Sequence, residues 1–160
     1  MARPELNSVT PSILDRLMDP ESGGTKEQRG YTLEQTIAAV RRDLEYLLNT
    51  RKGRIDLPEE FEELQSSVEN FGLPDFGSLP TTTRQQHNAV GQMMELAISR
   101  FEPRLRNVRV RMVQDGRAGE TLALKFQIEA RLKIEPFPDV SFETILELTT
   151  GIAAIKTIKG

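Results

Sequence analysis

Apolar residues recur at helical spacing in two long stretches of the first hundred residues. The first stretch follows Thr32, which forms a capping-box pattern with Gln35, and it ends at Gly53. Its apolar stripe consists of Ile37, Val40, Leu44, Leu47 and Leu48. The second follows the threonines at 81–83 and stops at Pro103, with a stripe of Val90, Met93, Met94, Ala97, Ile98 and Phe101. This 3.6-residue period predicts two long helices, each with one buried face.

Two shorter helical segments are also predicted. After Pro11, an apolar patch long enough for two helical turns comprises Ile13, Leu14, Leu17 and Met18, and a loop at 19–30 follows it. A helix this short is marginal in water, so it is expected to pack on the rest of the chain or on another chain. The second segment follows Pro58, with glutamates at its start and an apolar line of Phe61, Leu64 and Val68.

The period of the pattern changes from 3.6 to 2 after Pro103. Val108, Val110 and Met112 alternate with arginines, and every even position from Leu122 to Ile134 is apolar. A third alternating run consists of Val140, Phe142, Leu146 and Leu148. The small-residue tail at 152–158 favours a short edge strand. Alternation of this kind is typical of half-buried strands, so it predicts a sheet with one apolar and one wet face.

The order of these elements predicts an α+β fold class. We expect the N-terminal helices to pack on one face of a C-terminal antiparallel β-meander. The loop at 19–30 separates an N-terminal arm with a short helix, residues 1–30, from a single α+β domain, residues 31–160. A chain of 160 residues suffices for one domain with a modest core.

Composition excludes most catalytic and metal chemistry. The chain has no cysteine, no tryptophan and one histidine, His87, so a thiol nucleophile and a cysteine- or histidine-rich metal site are ruled out. We therefore expect no cofactor and no metal. Aromatic residues make up 6% of the chain and the pI is about 5.4, which argues against nucleic-acid binding. The lack of a long apolar run or a signal-like start predicts a cytoplasmic protein without direct membrane insertion.

Charge is divided into two blocks. Residues 55–75 contain seven acidic residues and no basic one, whereas residues 100–117 contain six arginines and two acidic residues. Blocks of opposite sign suit a protein that docks electrostatically on other proteins, although two solvated faces would give the same pattern. The glutamates at 59–63 lie at a helix start, whereas a catalytic acid requires an apolar pocket. The sequence therefore offers binding surfaces and no active site.

Four strings occur in a specific order: SILDRL at 12–17, VRRDLEYLLNTR at 40–51, SVENFGLPD at 67–75 and FEPRL at 101–105. This ordered set resembles the TssE family of type VI secretion baseplate subunits, which are related to the small wedge proteins of contractile phage baseplates. The resemblance covers nearly the whole chain. Some of these wedge proteins carry a historical lysozyme-like label, so a murein hydrolase acting on peptidoglycan is the alternative function.

The resemblance implies an assembly subunit without catalysis. Members of the family join TssF and TssG in a wedge, with TssK and the hub proteins of the tube as further neighbours. They also offer strands on which the TssB–TssC sheath begins to polymerise. Such a baseplate lies in the cytoplasm, docked at the inner membrane. The family's Glu-Pro-Arg motif is associated with assembly contacts and corresponds here to Glu102, Pro103 and Arg104.

The residues of this motif support a contact role on physical grounds. Pro103 ends the helix and biases Glu102 toward an extended conformation. Glu102 and Arg104 then point the same way and present an acceptor and a donor fork together. The alternative is that Arg104 only complements the negative end of the helix. Because that interaction contributes roughly 0.3–1 kcal/mol, Arg104→Ala is expected to leave the fold intact.

The C-terminal segment is the second predicted contact. It carries little charge, and Ile152, Ile155 and Ile158 are predicted to lie where a sheath subunit adds a strand. Internal pairing and a frayed terminus are the alternatives. Deleting residues 151–160, or placing proline at Ile155, is expected to impair sheath nucleation and to spare the contacts with TssF and TssG.

Overall fold

The computed structural model describes residues 9–18, 30–53, 58, 60–75, 83–113, 123–147 and 150–159. Within these ranges the helices come first: α1 Ile13–Met18, α2 Leu33–Asn49, α3 Glu62–Gln65 and α4 Arg84–Phe101, with a 3₁₀ turn at Val68–Asn70. The strands follow: β1 Leu105–Met112, β2 Ala123–Leu132, β3 Asp139–Glu147 and β4 Ala153–Lys159. They form one antiparallel sheet in the order β1-β2-β3-β4, which confirms the predicted α+β class.

A capping box begins α2, as the sequence predicts, and a second one begins α4, where the sequence predicts only a threonine cap. Thr32 Oγ1 accepts a hydrogen bond from the Gln35 N–H at 3.2 Å, and the Gln35 side chain accepts one from the Thr32 N–H at 2.9 Å. Thr83 and Gln86 make the same pair of bonds at the start of α4. α2 packs against β4 and α4 against β1, so the two helices cover the apolar face of the sheet. The fully buried residues of their stripes include Val40, Leu44, Leu48, Met94 and Ile98.

The sheet follows the predicted alternation. Phe126, Ile128 and Leu132 of β2 are fully buried on the core face, and the odd positions lie on the other face. β2 ends at Leu132, two residues before the predicted end, and Leu122 and the predicted turn at 115–119 lie outside the described residues. β1 begins earlier than predicted, because a bulge at Asn107, whose φ is 53°, keeps residues 105–106 paired with β2.

The predicted second helix is largely wrong. α3 has four residues, and the proposed apolar line is exposed, with Val68 at 90% relative accessibility. Serine hydroxyls end the helix by competing for its carbonyls: Ser67 Oγ donates to the Leu64 carbonyl at 2.7 Å, and Ser66 Oγ donates to the Glu63 carbonyl at 3.2 Å. The spacing of these apolar residues is helical, but they are exposed, so burial against the described core does not stabilise a longer helix. Met93, predicted on the α4 stripe, is also partly exposed, at 38%.

The short helix α1 packs with its polar side inward. Asp15 is its buried residue, whereas Ile13 and Leu17 are 76% and 80% exposed. Of the predicted apolar patch, Ile13, Leu17 and Met18 therefore stay exposed, and Leu14 faces a cleft. An antiparallel bridge ties the segment before α1 to the start of α2, through a hydrogen bond from the Tyr31 N–H to the Val9 carbonyl at 2.8 Å. The division into a 1–30 arm and a 31–160 domain stays a prediction.

The C-terminal tail forms the edge strand β4, as its composition favours. It pairs antiparallel with β3, with Ile155 opposite Thr144 and Lys156 opposite Glu143. Internal pairing, one of the alternatives left open, is therefore what the structure has. β1 and β4 form the two margins of this four-stranded sheet.

Candidate protein-binding surfaces

The Glu102-Pro103-Arg104 turn connects α4 to β1. The Glu102 N–H still donates to the Ile98 carbonyl at 2.9 Å, and Pro103 prevents a further helical turn. Glu102 is 4% exposed. Its Oε1 accepts from the backbone N–H and the Nε of Arg104, at 3.1 and 2.7 Å, and its Oε2 accepts from Arg104 Nη2 at 2.5 Å. The side chains of Glu102 and Arg104 lie on the same side, as predicted, but the Glu102 carboxylate and the Arg104 guanidinium bind each other.

Arg104 is also part of a larger charge network. Its Nη2 lies 2.6 Å from Oδ2 of Asp43, whose Oδ1 accepts from Arg42 Nη2 at 2.8 Å and from Arg42 Nε at 3.0 Å. Arg42 Nη1 in turn lies 2.6 Å from the buried carboxylate of Asp15. We call these five residues the ion network: Asp15, Arg42, Asp43, Glu102 and Arg104. It connects α1, α2 and the α4–β1 turn.

The ion network shifts the pKa values of Arg104 and Asp15. Burial alone would lower the pKa of Arg104, but the hydrogen bonds and charges of Glu102 and Asp43 outweigh it and raise that pKa further above its ordinary value. Burial alone would raise the pKa of Asp15, yet hydrogen bonds from Arg42 and Ser12 and the Arg42 charge bring it below its usual range. Ser12 Oγ donates to Asp15 Oδ2 at 2.7 Å. The network is therefore suited to holding elements together and to binding.

A cleft of about 440 Å³ lies beside the network, between α1, α2 and the α4–β1 turn. Its lining is mainly apolar and includes Leu14, Tyr46, Phe101 and Pro103. The side chain of Arg104 is 27% exposed at this cleft, and its Nη1 has no acceptor among the residues that the structure describes. Arg104 and the exposed Pro103 thus remain available to a partner, whereas Glu102 is occupied.

The three isoleucines predicted at the C-terminal contact have different environments. Ile155 is buried in the core on the inner face of β4, at 4% exposure, so only its backbone reaches the edge. Ile152 precedes the strand and is 58% exposed. Ile158, 57% exposed, lies in a bulge where β4 has one residue more than β3, since Phe142 pairs with Thr157 and Ser141 with Lys159.

The outer edge of β4 is partly open. The backbone N–H and C=O of Ala153 bond the side chain of Asn49, at 2.8 and 2.9 Å, and so face away from β3. Because backbone groups alternate along an antiparallel strand, those of Ile155 and Thr157 face the same way. Within the described ranges these outward groups of Ile155 and Thr157 have no hydrogen-bond partner. We call the outward backbone groups of Ile155 and Thr157 the open edge.

The opposite margin of the sheet is closed where α4 passes β1. The Glu95 carboxylate accepts from the Val110 N–H at 3.0 Å and from Arg109 Nη1 at 3.1 Å. This side chain occupies an outward donor of β1. Of the two margins, β4 is therefore the one that better suits strand addition.

Comparisons with known proteins match this arrangement to an assembly subunit. The family described as baseplate wedge protein gp25 matches residues 34–136, nearly two thirds of the chain. The chain belongs to this family. The matched region of the wedge protein includes α2, α4, the Glu102-Pro103-Arg104 turn and four members of the ion network, which confirms the resemblance to small baseplate wedge proteins. α1, β3 and β4 lie outside it.

A solved structure supports the fold of this wedge protein. The match is to a chain of a structure described as the baseplate complex from the type VI secretion system, at 15% sequence identity and a TM-score of 0.51. It covers 79% of this chain and 97% of that chain, so the two share most of their fold. No curated protein sequence matches the chain. None of the described helices is long and apolar enough to cross a bilayer.

Proposed function

We propose that this wedge protein is the TssE-type subunit of a type VI secretion baseplate and that it acts by assembly, without catalysis. The observation that carries the proposal is the family match over residues 34–136, which contains the Glu102-Pro103-Arg104 turn with Arg104 partly exposed. The likeness of the fold to a chain of a type VI baseplate supports the choice of this system among contractile machines. The baseplate would lie in the cytoplasm, docked at the inner membrane.

Each of the two surfaces suits a different partner. The cleft beside Arg104 is apolar with a cationic rim, which fits a docked protein surface that supplies an acceptor for Nη1. We assign it to TssF and TssG, with TssK and tube hub proteins as further neighbours. The open edge offers main-chain donors and acceptors, which fit an extended strand, and we assign it to the TssB–TssC sheath. The same protein would thereby bridge the wedge and the first sheath ring.

Co-purification with the TssF and TssG proteins of the same organism tests the wedge assignment. The tagged chain is expected to retain both proteins through size-exclusion chromatography. A stable chain that retains neither of them would contradict the assignment.

Thr157→Pro is expected to stop sheath nucleation without unfolding the protein. Thr157 is exposed and its N–H faces away from β3, a position at which an edge strand tolerates proline. The change removes a donor of the open edge and should alter the free energy of unfolding by no more than about 1 kcal/mol. Fluorescent sheath in living cells should show few extended structures, whereas TssF and TssG still co-purify.

Thr157→Val is the matched control, because it retains the backbone N–H and is expected to support normal sheaths. Normal sheath numbers in the Thr157→Pro strain would show that the open edge is not a template for the sheath.

The alternative murein hydrolase would need a carboxylic acid able to give up a proton beside its substrate. The three carboxylates that line the cleft are already paired with arginines: Glu102 and Asp43 accept hydrogen bonds from Arg104, and Asp15 lies 2.6 Å from Arg42. We therefore expect the purified protein to clear no peptidoglycan in a zymogram. Glu62→Gln and Glu63→Gln, at exposed positions of α3, should leave secretion largely intact. Lysis that disappears with a single Glu→Gln change would reverse the assignment.

A further inference from the structure

Asn49, the last residue of α2, acts on β4 as a neighbouring strand would. Its Nδ2 donates to the Ala153 carbonyl at 2.9 Å, and its Oδ1 accepts from the Ala153 N–H at 2.8 Å. The side-chain amide has the same donor and acceptor as a peptide group. It therefore occupies the first outward hydrogen-bonding position of β4 and excludes a backbone from that place.

The rest of the edge is short and bounded on both sides. Ile155 and Thr157 follow Ala153 at the next two outward positions, and the bulge at Ile158 changes the course of the strand directly after them. A strand that slips by two residues keeps its side chains on the same faces, so alternation alone does not fix where it pairs. Because Asn49 occupies the outward N–H and C=O of Ala153, it fixes the position at which an added strand pairs.

Lys156 gives this edge a charge preference. It is exposed and pairs across from Glu143 of β3, yet it makes no ion pair with any described residue. On an added strand, the residue directly opposite Lys156 would lie within reach of its ammonium group, and opposite charges at such positions stabilise a sheet. The exposed Ala154 precedes Lys156 on the same face, which suits an apolar neighbour two residues away.

We propose that Asn49 is a register stop for strand addition at β4. The incoming strand pairs with Ile155 and Thr157, ends before Ala153, and carries a carboxylate opposite Lys156. This inference rests on the proposed function, because the sheath subunit is the source of the strand. It also divides the isoleucines predicted from the sequence: Ile158 lies within reach of the strand, whereas Ile152 lies beyond the stop.

Site-specific photocrosslinking tests the stop. A benzoylphenylalanine placed at Ile158 or at Ile152, both exposed, is irradiated in cells that produce the sheath proteins. In the otherwise unchanged chain, position 158 should crosslink to a sheath subunit and position 152 should not. With Asn49→Ala, position 152 should crosslink as well, because the freed Ala153 allows the strand to extend.

The outcomes separate the stop from the proposed function. Sheath crosslinks of equal yield from both positions in the chain with Asn49 would overturn the stop and retain the sheath as partner. No sheath crosslink from position 158, or a crosslink only to a second copy of this chain, would overturn the proposed sheath contact itself. The comparison of crosslinking at positions 158 and 152 uses the chain with Asn49. Its result is therefore valid even if Asn49→Ala lowers the stability of the protein.

A charge exchange tests Lys156. Lys156→Glu is expected to reduce the number of sheaths by about two- to five-fold, the effect of one cross-strand charge pair. Combining it with Glu143→Lys restores opposite charges within the chain but leaves a carboxylate at the edge, so the loss should persist. Recovery of sheath numbers in the double variant would show that Lys156 serves only β3 and would overturn its role toward the partner.

Discussion

Replacing Arg104 by alanine is expected to lower the free energy of unfolding by about 3 kcal/mol. The change would leave the carboxylate of Glu102, which is 4% exposed, without the side chain that donates to both of its oxygens. Asp43 would lose a partner at 2.6 Å as well. This revises the expectation from the sequence, in which Arg104 contributed only through the helix dipole and its loss spared the fold.

Urea unfolding of the purified variants measures this loss. Arg41→Ala is the matched control, because the pair of Arg41 with Glu45 is exposed and 3.6 Å long, and such pairs contribute about 0.3–0.5 kcal/mol. In a double-mutant cycle, Glu102→Gln together with Arg104→Ala should cost less than the sum of the single changes. If Arg104→Ala unfolds at the same urea concentration as Arg41→Ala, the ion network does not stabilise the fold.

Binding is measured on the folded fraction, so the two roles of Arg104 are separable. If Nη1 contacts TssF or TssG, co-purification per folded molecule should fall as well, since truncating one partner of a buried charge pair costs about 2–5 kcal/mol. Unchanged binding per folded molecule would show that Arg104 acts only within the ion network and does not contact TssF or TssG.

Deleting residues 151–160 is expected to unfold the protein, and therefore to abolish every contact it makes. The deletion removes all of β4, including Ala153 and Ile155, which are buried, and it exposes β3 along the whole β3–β4 pairing. Loss of the Ile155 side chain alone should cost about 2–5 kcal/mol, against a typical total stability of about 5–15 kcal/mol. Proline at Ile155 would disturb the same core position.

This outcome revises the expectation that such changes spare TssF and TssG. Circular dichroism during heating should show no cooperative transition for the truncated chain. The control is Ile158→Ala, at an exposed bulge position, which is expected to change stability by no more than about 0.5 kcal/mol. A truncated chain that melts near the temperature of the full chain would show that β4 is dispensable, and the deletion would then be a valid test of sheath nucleation.

The sequence by itself determined the features that depend on residues close along the chain. The capping box at Thr32, the threonine cap of α4, the buried stripe of α2, most of that of α4 and the alternation of β2 all appear where their spacing predicts them. Local spacing suffices there because it decides which side chains share a face, and burial of an apolar face then selects the element. The stop of α4 before Pro103 is equally local, since proline lacks the N–H that a further turn needs.

Only the tertiary structure decided which polar groups meet. Arg104 reaches Asp43 across 61 positions, and Asn49 reaches Ala153 across 104, so no periodicity connects them. The same limit explains α3 and α1: helical spacing predicted buried lines at Val68 and Ile13, but both are exposed because the described core offers them no surface. Charge pairing and edge closure depend on how whole elements are placed beside one another, and hydrophobic patterning constrains that placement only loosely.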